Sequence, residues 1–504
     1  MPPAVSSSKK ITINALSSSL QVIAVSVLYF LLYRYLLVRL GADQLGIWSL
    51  VLATASLVNM ANFGITTSMV KFVSQYNAEE RYDAINKLVF TAFFSMLLFF
   101  LVLITLLFFT ATFILKKLVD PAHIDIAIKI LPFSLCSLFI NGLGGVFSSV
   151  LDGFQKNYQR NLIYVSSSFL LLILSYLLVP YFKITGVAYA QVIQSLFVLL
   201  ASFIFSARSF NAKVFLRWNW DKSIFKEIFS YGLKFQVVSL SQLLYEPTTK
   251  ALLSKFAGLA SVAYYEMGAR LVNQVRGLIV NANQVIVPVV ADAAVKNQAA
   301  ISKIYSFSMS IVLFITVPLM SGLILFASSV SYLWIGHIEP IFVFTVIILA
   351  IGMFFNIMGT PAYYGFMGEG SLNVILVMHL VIAIINLTAG YLLSKIFPMY
   401  GAMLGWGIAL VIGSSKILLA YQKKKAIPFK TFFVAKDYIL IAAGLFAVLF
   451  TITFYFFLNK QANANFILFL CLNAAGFCIL FAPVLLMNAN AKMVVSIMRN
   501  MFKK

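Results

Sequence analysis

Fourteen stretches of about 20 or more largely apolar residues follow one another along the chain. A helix that crosses the hydrocarbon core of a bilayer needs about 20 such residues, so each stretch is a candidate transmembrane helix. Hydrophobic residues make up 62% of the chain and charged residues 10%, whereas soluble domains have about 45–50% and about 25%. We therefore predict an all-α integral membrane protein with about 14 transmembrane helices.

The first predicted span starts directly after Lys9 and Lys10. Its apolar run is longer than the core of about 7–15 residues in a cleavable signal peptide, so we interpret it as a membrane span. The full set of predicted spans is 11–38, 44–70, 88–115, 126–150, 161–182, 184–206, 228–250, 261–290, 303–327, 340–363, 372–394, 400–420, 437–458 and 464–487.

The positive charge of the chain is concentrated on one side of the predicted membrane. The formal net charge is +22, which by itself would be compatible with nucleic-acid binding. However, about two thirds of the 37 Lys and Arg fall on the side of the N-terminus, as the positive-inside rule describes for the cytoplasmic face. The basic loops 207–227 and 416–436 fit contact with anionic membrane lipids. We predict cytoplasmic termini and no nucleic-acid partner.

Matching residues recur at a nearly constant spacing and indicate a duplicated half. An offset of 215 to 217 residues pairs Gly41 with Gly258, Trp48 with Tyr265, Asn141 with Asn356, and Gly186 with Gly401. We predict an N-lobe of six spans (1–206), a basic interfacial linker (207–227), a C-lobe of six spans (228–420), and a final part (421–504) with a basic loop and two further spans.

Signatures of catalytic, nucleotide and metal sites are absent from the sequence. No GxxxxGK[ST] motif occurs, so the chain has no P-loop of its own. No paired-carboxylate, HExxH or nucleophile-elbow pattern is present, and the three histidines are scattered. The cysteines Cys136, Cys471 and Cys478 lie in apolar runs without a CxxC pair, and we interpret them as buried small hydrophobic residues. We expect neither an enzyme nor a bound cofactor or metal.

Polar residues do occur inside the seventh and eighth predicted spans. One helical face of the eighth span carries Glu266, Arg270, Asn273, Asn281 and Gln284, and one face of the seventh carries Gln242, Glu246 and Lys250. Ionisable residues within a membrane usually face a bundle interior or a water-filled cavity. Cations within the spans include Arg34, Lys234, Lys250, Arg270 and Arg276, and the cations outnumber the acids, which include Glu246 and Glu266. We predict a net positive cavity between the lobes.

Two simpler interpretations of these charges remain open. Glu246 with Lys250, and Glu266 with Arg270, are four residues apart on their helices, and each pair would neutralise itself. Arg34 lies near the outer end of its span and would reach the interface as a snorkelling side chain.

Residues 40–77, LGADQLGIWSLVLATASLVNMANFGITTSMVKFVSQYN, contain an LG-x4-G-x-W turn followed by an N-x-G-I-x-T pattern. This stretch resembles the N-terminal signature of the bacterial polysaccharide or oligosaccharide (O-antigen-type, Wzx-like) flippases of the multidrug/oligosaccharidyl-lipid/polysaccharide (MOP) exporter superfamily. The resemblance implies two six-helix lobes in a V-shaped, MATE-like arrangement around a cavity that opens alternately to each side. It also implies an undecaprenyl-pyrophosphate-linked oligosaccharide as substrate, a place in the inner membrane, and polysaccharide polymerase or assembly partners.

The function that follows is a flippase for surface polysaccharide such as lipopolysaccharide O-antigen, capsule or exopolysaccharide. In this mechanism the cations bind pyrophosphate, and Glu246 or Glu266 carries a coupling H⁺ or Na⁺. One alternative is a cation-coupled drug or metabolite exporter on the same scaffold, although cationic substrates would need a net acidic cavity. Another is a scaffold subunit of a polysaccharide assembly complex.

Overall fold

The computed structural model describes residues 4–209, 220–243, 245–283, 298–369, 371–426, 435–458 and 466–487. Within these ranges the secondary structure is helical and contains no β-strand. The chain divides into two compact units, Met1–Ala263 (unit 1) and Tyr264–Lys504 (unit 2). The finer division into two lobes, a linker and a C-terminal part stays a prediction.

Unit 1 contains nine complete α-helices and one 3₁₀ segment, counted over the described residues. They are α1 (Ala4–Leu40), α2 (Ala42–Ala55), the 3₁₀ segment (Ser56–Asn62), α3 (Ile65–Ala78), α4 (Tyr82–Leu118), α5 (Ile124–Gly153), α6 (Asn157–Phe182), α7 (Ile184–Ala207), α8 (Lys222–Leu243) and α9 (Tyr245–Ala257). Helix α10 (Leu259–Asn283) starts in unit 1 and continues into unit 2.

The described part of unit 2 continues with seven more helices. They are α11 (Gln298–Ile335), α12 (Pro340–Met358), α13 (Thr360–Gly368), α14 (Leu372–Ile396), α15 (Gly401–Lys425), α16 (Ala435–Leu458) and α17 (Phe466–Met487).

Nine helical stretches in the described ranges are long and apolar enough to cross a membrane. Two further apolar stretches are shorter, Asp437–Thr451 within α16 and Leu470–Ala482 within α17. Many large apolar side chains on these helices are exposed, among them Leu98, Phe109 and Ile384. Such a surface suits lipid and not water, because lipid does not penalise exposed hydrocarbon.

The second predicted span, 44–70, is not one continuous helix. Helix α2 ends at Ala55, the 3₁₀ segment follows, and α3 begins at Ile65. Phe63 and Gly64 both adopt left-handed backbone conformations, with φ of 44° and 69°. Asn62 stabilises the backbone at this break, because its Oδ1 accepts a hydrogen bond from the backbone N–H of Thr66 at 3.2 Å. This contact satisfies one of the free N–H groups at the start of α3.

The LG-x4-G-x-W turn is explained residue by residue. Gly41 has φ of 82°, a conformation that favours glycine. At Gly46 an added Cβ would overlap the backbone carbonyl of Leu259, so only glycine allows α2 to lie this close to the start of α10. The indole N–H of Trp48 donates to the Oε1 of Gln191 on α7 at 2.9 Å. The motif therefore fixes α2 against two other helices.

Helix α8 packs against α3 through an equally close backbone contact. A Cβ on Gly64 would overlap the carbonyl of Gly232, and a Cβ on Gly232 would lie 2.6 Å from the carbonyl oxygen of Phe63. One turn further on, the hydroxyl of Ser68 donates to the carbonyl of Ile228 at 2.8 Å. This crossing continues into a buried core shared by α3, α4, α5 and α8.

Residues paired by the sequence repeat occupy equivalent local structures, although Gly41 and Gly258 both lie in unit 1. Gly258 has φ of 85°, close to the 82° of Gly41, and neither glycine has another atom within 4 Å of an added Cβ. Gly186 lies against the backbone of the preceding helix at Leu178, and Gly401 lies in the same way against Leu393. Helices α5 and α7 pack together in unit 1, as α12 and α15 do in unit 2.

The expectation that the cysteines are buried is wrong. Cys136, Cys471 and Cys478 are all exposed on the surfaces of their helices. In a membrane protein a small apolar residue is as stable facing lipid as facing the core, because neither environment is aqueous. An apolar run therefore does not indicate which of its residues are inside.

Candidate functional site

Glu266 and Arg270 form an ion pair on the unit 2 part of α10. The Nε and Nη2 atoms of Arg270 both donate to Oε1 of Glu266, at 3.1 Å and 2.9 Å. The carboxylate is buried, with 8% of its side chain exposed, whereas 28% of the Arg270 side chain is exposed. The pair thus compensates a buried charge, as the simpler interpretation expects, while part of the guanidinium remains accessible.

Arg276 lies further along α10 and is held by an amide instead of a carboxylate. Its Nε donates to Oδ1 of Asn356 on α12 at 2.8 Å. The Nδ2 of Asn356 donates in turn to Oγ of Ser414 on α15 at 3.2 Å. The amide of Asn356 therefore accepts from Arg276 through Oδ1 and donates to Ser414 through Nδ2. Because an amide is uncharged, it orients the guanidinium without neutralising its charge. Arg276 therefore keeps its full positive charge in this contact.

The surroundings of Arg276 are aromatic and polar. The phenol groups of Tyr363 and Tyr364 on α13 are close enough to interact with it electrostatically. Tyr363 contacts the ring of His379 edge-on, with centroids 5.9 Å apart. His379 is buried and also interacts electrostatically with Arg276. This cluster combines a guanidinium with phenol and imidazole groups, which suits recognition of an anion.

In unit 1, Glu246 and Lys250 form the second predicted ion pair, on α9. The ammonium group of Lys250 donates to Oε1 of Glu246. Their burial is opposite to that of the first pair, because 3% of the Lys250 side chain and 60% of the Glu246 side chain are exposed. A buried ammonium thus has an accessible carboxylate as its partner.

The remaining predicted residues are more dispersed. Arg34 is exposed near the end of α1, and Asn273 is exposed on α10. Lys234, Gln242 and Asn281 lie on described helices, but only their backbone is described, and Gln284 lies outside the described residues. Among the described residues, no group of three or more His, Cys, Asp or Glu is placed to hold a metal ion.

Unit 1 contains a polar cavity of about 360 Å³, which was not among the predicted sites. Its walls come from α1, the 3₁₀ segment, α3, α4, α5 and α6. One ion pair lines it, in which Nη1 of Arg160 donates to Oδ2 of Asp152 at 2.6 Å. The lining residues are separated by up to about 140 positions in the chain, so no local pattern indicates that they meet.

One hydrogen bond in unit 1 resembles the bond that holds Asn356, the partner of Arg276. Nδ2 of Asn141 on α5 donates to Oγ of Ser195 on α7 at 2.7 Å, as Asn356 donates to Ser414. Asn141 and Asn356 are the asparagines that the sequence repeat pairs. The repeat is therefore the sequence signal that points to Asn356 as a structural partner in the site.

A match to the model of a known protein family shows the family of this chain. The model of the family described as "Polysaccharide biosynthesis protein" matches residues 11–294, which is more than half of the chain. The chain belongs to this family. Its signature stretch at 40–77, with the turn at Gly41 and the close approach at Gly46, falls inside the matched region.

One curated relative is also similar. It is the uncharacterized membrane protein MJ1068 of Methanocaldococcus jannaschii, which is 25% identical over 224 residues. The match spans 42% of this chain and 43% of the relative. Similarity to this relative therefore covers less than half of either protein.

Solved structures with a similar fold are membrane transporters. An inward-facing multidrug resistance MATE family transporter of the MOP superfamily has a TM-score of 0.70 at 16% identity, covering 81% of this chain and 98% of that one. The lipid II flippase MurJ in an inward closed conformation has a TM-score of 0.69 at 16% identity, covering 93% and 97%. A MOP superfamily transporter from Pyrococcus furiosus, described as having a binding pocket of reverse polarity, scores 0.56 at 16% identity and covers 83% and 96%. These likenesses confirm the predicted all-α membrane fold.

Proposed function

We propose that the chain is a flippase that moves an undecaprenyl-pyrophosphate-linked oligosaccharide repeat unit across the cytoplasmic membrane for surface polysaccharide synthesis. The family match supports a role in polysaccharide synthesis, and the fold shared with MurJ, whose own substrate is named as lipid II, is compatible with flipping. The observation that carries the proposal is Arg276, which is oriented by a neutral amide and keeps its charge for a ligand.

The pyrophosphate headgroup explains why an arginine is suited to this position. Phosphate oxygens and a guanidinium form short, charge-assisted hydrogen bonds in a planar fork that lysine cannot reproduce. Asn356 uses the Nε of Arg276, so this contact leaves the end-on edge formed by the two Nη groups unused. In our proposal these groups bind the pyrophosphate, and Arg270 contributes with the part of its side chain that is accessible. Lys250, Arg34 and Lys234 add positive charge.

Coupling to an ion gradient supplies the energy, with Glu246 as the stronger candidate carrier. Its side chain is 60% exposed and forms an ion pair with the buried ammonium of Lys250. Protonation or Na⁺ binding at Glu246 therefore weakens its attraction for Lys250. Glu266 is the weaker candidate, because it is buried and forms an ion pair with Arg270. Alternating access, as the resemblance implies, then moves the headgroup while the polyprenyl tail stays in lipid.

The proposal places the protein in the inner membrane, beside polysaccharide polymerase or assembly partners, with both termini in the cytoplasm. The distribution of Lys and Arg supports this orientation. A reporter fused after Lys504 that is active only outside the cell would contradict it.

The alternative function is cation-coupled export of a drug or metabolite, which the fold shared with the multidrug transporter favours. Binding experiments separate the two. The purified protein in nanodiscs should bind sugar-free undecaprenyl pyrophosphate and lose this binding in Arg276→Gln, and it should not bind ethidium. Saturable ethidium binding without undecaprenyl pyrophosphate binding would favour the exporter. Wild-type surface polymer in a deletion strain that carries the Arg276→Gln protein would favour a scaffold subunit.

A further inference from the structure

The polar cavity of unit 1 is lined by groups that both donate and accept hydrogen bonds. The amides are Gln21, Asn59, Asn62 and Asn141, and the hydroxyls include those of Ser149 and Tyr164. A side-chain amide provides two N–H donors and an accepting oxygen, and a hydroxyl provides both functions on one atom. Such a lining matches a ligand that itself carries many hydroxyl groups.

Several of these groups are available for a ligand. Among the described residues, no side-chain hydrogen bond is made by the amides of Gln21 and Asn59, which both line the cavity. Oδ1 of Asp152 is buried without a hydrogen-bond partner in the same set, while its Oδ2 accepts from Arg160. Buried polar atoms almost always have a partner in folded proteins. An acceptor such as this oxygen therefore points to a donor that a bound molecule supplies.

The charge of the cavity argues for a neutral ligand. Asp152 and Arg160 compensate each other at 2.6 Å, and the other lining side chains are uncharged. A pyrophosphate would need a net positive wall, and an organic cation would need a net negative one. The volume of about 360 Å³ falls within the range of small-molecule sites, about 300–1,000 Å³. It is much larger than a single ion requires.

The sequence repeat shows how this cavity differs from the arginine cluster. Asn141 in unit 1 and Asn356 in unit 2 make the same contact to a serine of the neighbouring helix. In unit 2 that asparagine orients Arg276. The offset of 217 residues places Asn59 at the position of Arg276, and Asn59 lines the cavity together with Asn141. The same scaffold thus carries a guanidinium in one unit and a neutral amide in the other.

We propose that the unit 1 cavity is a separate binding site for a neutral sugar residue of the transported glycan. In this arrangement unit 2 recognises the charged headgroup, and the hydroxyls of one sugar ring bind Asn59, Asn141 and Oδ1 of Asp152. The phenol ring of Tyr164 offers an apolar face to the C–H groups of the sugar. This inference rests on the proposed function for the identity of the ligand.

Binding to nanodiscs of the full chain tests this site. The probes are sugar-free undecaprenyl pyrophosphate and the same lipid carrying one glucose, galactose, mannose or N-acetylglucosamine. We expect at least one sugar-bearing lipid to bind more tightly than the sugar-free lipid. Asn59→Ala and Ser149→Ala should each reduce that advantage by about three- to tenfold, because each removes hydrogen-bonding capacity toward the sugar. Neither should change the affinity for the sugar-free lipid.

Ser206→Ala is the matched control. Its hydroxyl donates to the carbonyl of Phe147 at 2.7 Å, as that of Ser149 donates to the carbonyl of Gly145 at 2.7 Å, but Ser206 does not line the cavity. It should bind all five lipids like the wild type, and equal melting temperatures for the variants verify folding.

The outcomes distinguish this site from the proposed function. If no sugar raises affinity, or if Asn59→Ala leaves the advantage intact, the sugar site is wrong regardless of Arg276. If the loss of lipid affinity in Asn59→Ala depends on the Na⁺ concentration and not on the presence of the sugar, the cavity is a cation site and the inference is overturned. If Arg276→Gln binds the sugar-free lipid normally while Asn59→Ala still loses the sugar advantage, the headgroup assignment fails and the sugar site stands.

Discussion

The guanidinium of Arg276 donates from Nε to Oδ1 of Asn356 at 2.8 Å, and this contact orients the guanidinium. Asn356 cannot rotate its amide freely, because Nδ2 donates to Ser414 on α15. Three helices, α10, α12 and α15, therefore cooperate to orient one charged group. A site arranged in this way is organised before the ligand binds, which reduces the entropic cost of binding.

We predict that Asn356→Leu weakens binding of sugar-free undecaprenyl pyrophosphate without abolishing it. Leucine has a similar size but cannot accept from Nε, so Arg276 keeps its charge and loses its orientation. The expected loss is about three- to tenfold, which corresponds to the net value of one typical hydrogen bond, about 1 kcal/mol. Titration in nanodiscs measures it, and Asn141→Leu, the repeat-related substitution in unit 1, serves as the control. Equal losses in both variants would show that the effect is structural and not specific to Arg276.

Replacing the Glu266–Arg270 pair tests whether Arg270 does more than compensate a buried charge. Arg270→Gln alone leaves the Glu266 carboxylate buried without its partner and should destabilise the protein by about 3–5 kcal/mol. The double variant Glu266→Gln with Arg270→Gln should restore the melting temperature. We expect this double variant to export less polymer than the wild type at equal membrane abundance, because the accessible part of Arg270 contributes to headgroup binding. Wild-type export would leave the pair with a structural role alone.

Two glycines with similar backbone conformations should respond differently to alanine. Gly41 and Gly64 have φ of 82° and 69°, so alanine introduces backbone strain of about 1–2 kcal/mol at either position. Only at Gly64 would the new Cβ also overlap a backbone carbonyl, that of Gly232. Gly64→Ala should therefore cost about 1–3 kcal/mol more than Gly41→Ala. Melting temperatures of the two variants in the same detergent measure the difference, and equal values would contradict the close contact of α3 with α8.

The sequence predicts those parts of the fold that depend on local or repeated patterns. The apolar runs locate helices along the whole described chain, and the repeat correctly pairs Gly41 with Gly258 because both turns need the same left-handed backbone. The break of the second span after Ala55 was not predictable in this way. Residues 55–62 contain neither glycine nor proline, and the 3₁₀ segment depends on packing against α4, α5 and α8.

The candidate site shows the same division. Helical spacing is sufficient to predict that Glu266 meets Arg270 and that Glu246 meets Lys250. It cannot predict that Arg276 meets Asn356, because 80 residues separate them in the chain. The cavity around Asn59 and Asp152 is also assembled from distant segments, and its residues are ordinary polar side chains without a motif. Burial was equally unpredictable for Cys136, since lipid and core both accept apolar residues.

Glu369 gives unit 2 a pH-dependent contribution to stability. It follows α13 and accepts from Lys424 and Lys425 at the end of α15, at 3.0 Å and 2.8 Å. Burial raises the pKa of its carboxyl, but the hydrogen bonds from Lys425 and Lys424 outweigh burial, so the pKa lies below the ordinary value of 4.5. The ionised form is therefore favoured by folding. Its stabilisation is complete above the unfolded-state pKa and is lost as the pH falls through the lower folded-state pKa.

Glu369→Gln should consequently lower the melting temperature at pH 7, with a cost of about 1–3 kcal/mol for charged hydrogen bonds. The difference from the wild type should shrink as the pH falls below about 4.5, because the wild-type carboxyl then becomes protonated as well. Thermal unfolding in detergent between pH 3 and pH 8 checks this. A difference that is constant over this range would contradict the assigned role of the carboxylate.

The central claim is that Arg276 binds the pyrophosphate of a lipid that the protein moves across the membrane. The direct measurement is the rate of transbilayer movement in proteoliposomes of fluorescently tagged undecaprenyl pyrophosphate that carries each of the four sugars named above. The wild type should move at least one of them faster than protein-free vesicles do. Arg276→Gln should slow this movement at least about tenfold, Arg276→Lys should recover it in part, and the exposed control Arg39→Gln should leave it unchanged. A wild type that moves none of the four lipids, or an Arg276→Gln variant that moves them at the wild-type rate, would contradict the account.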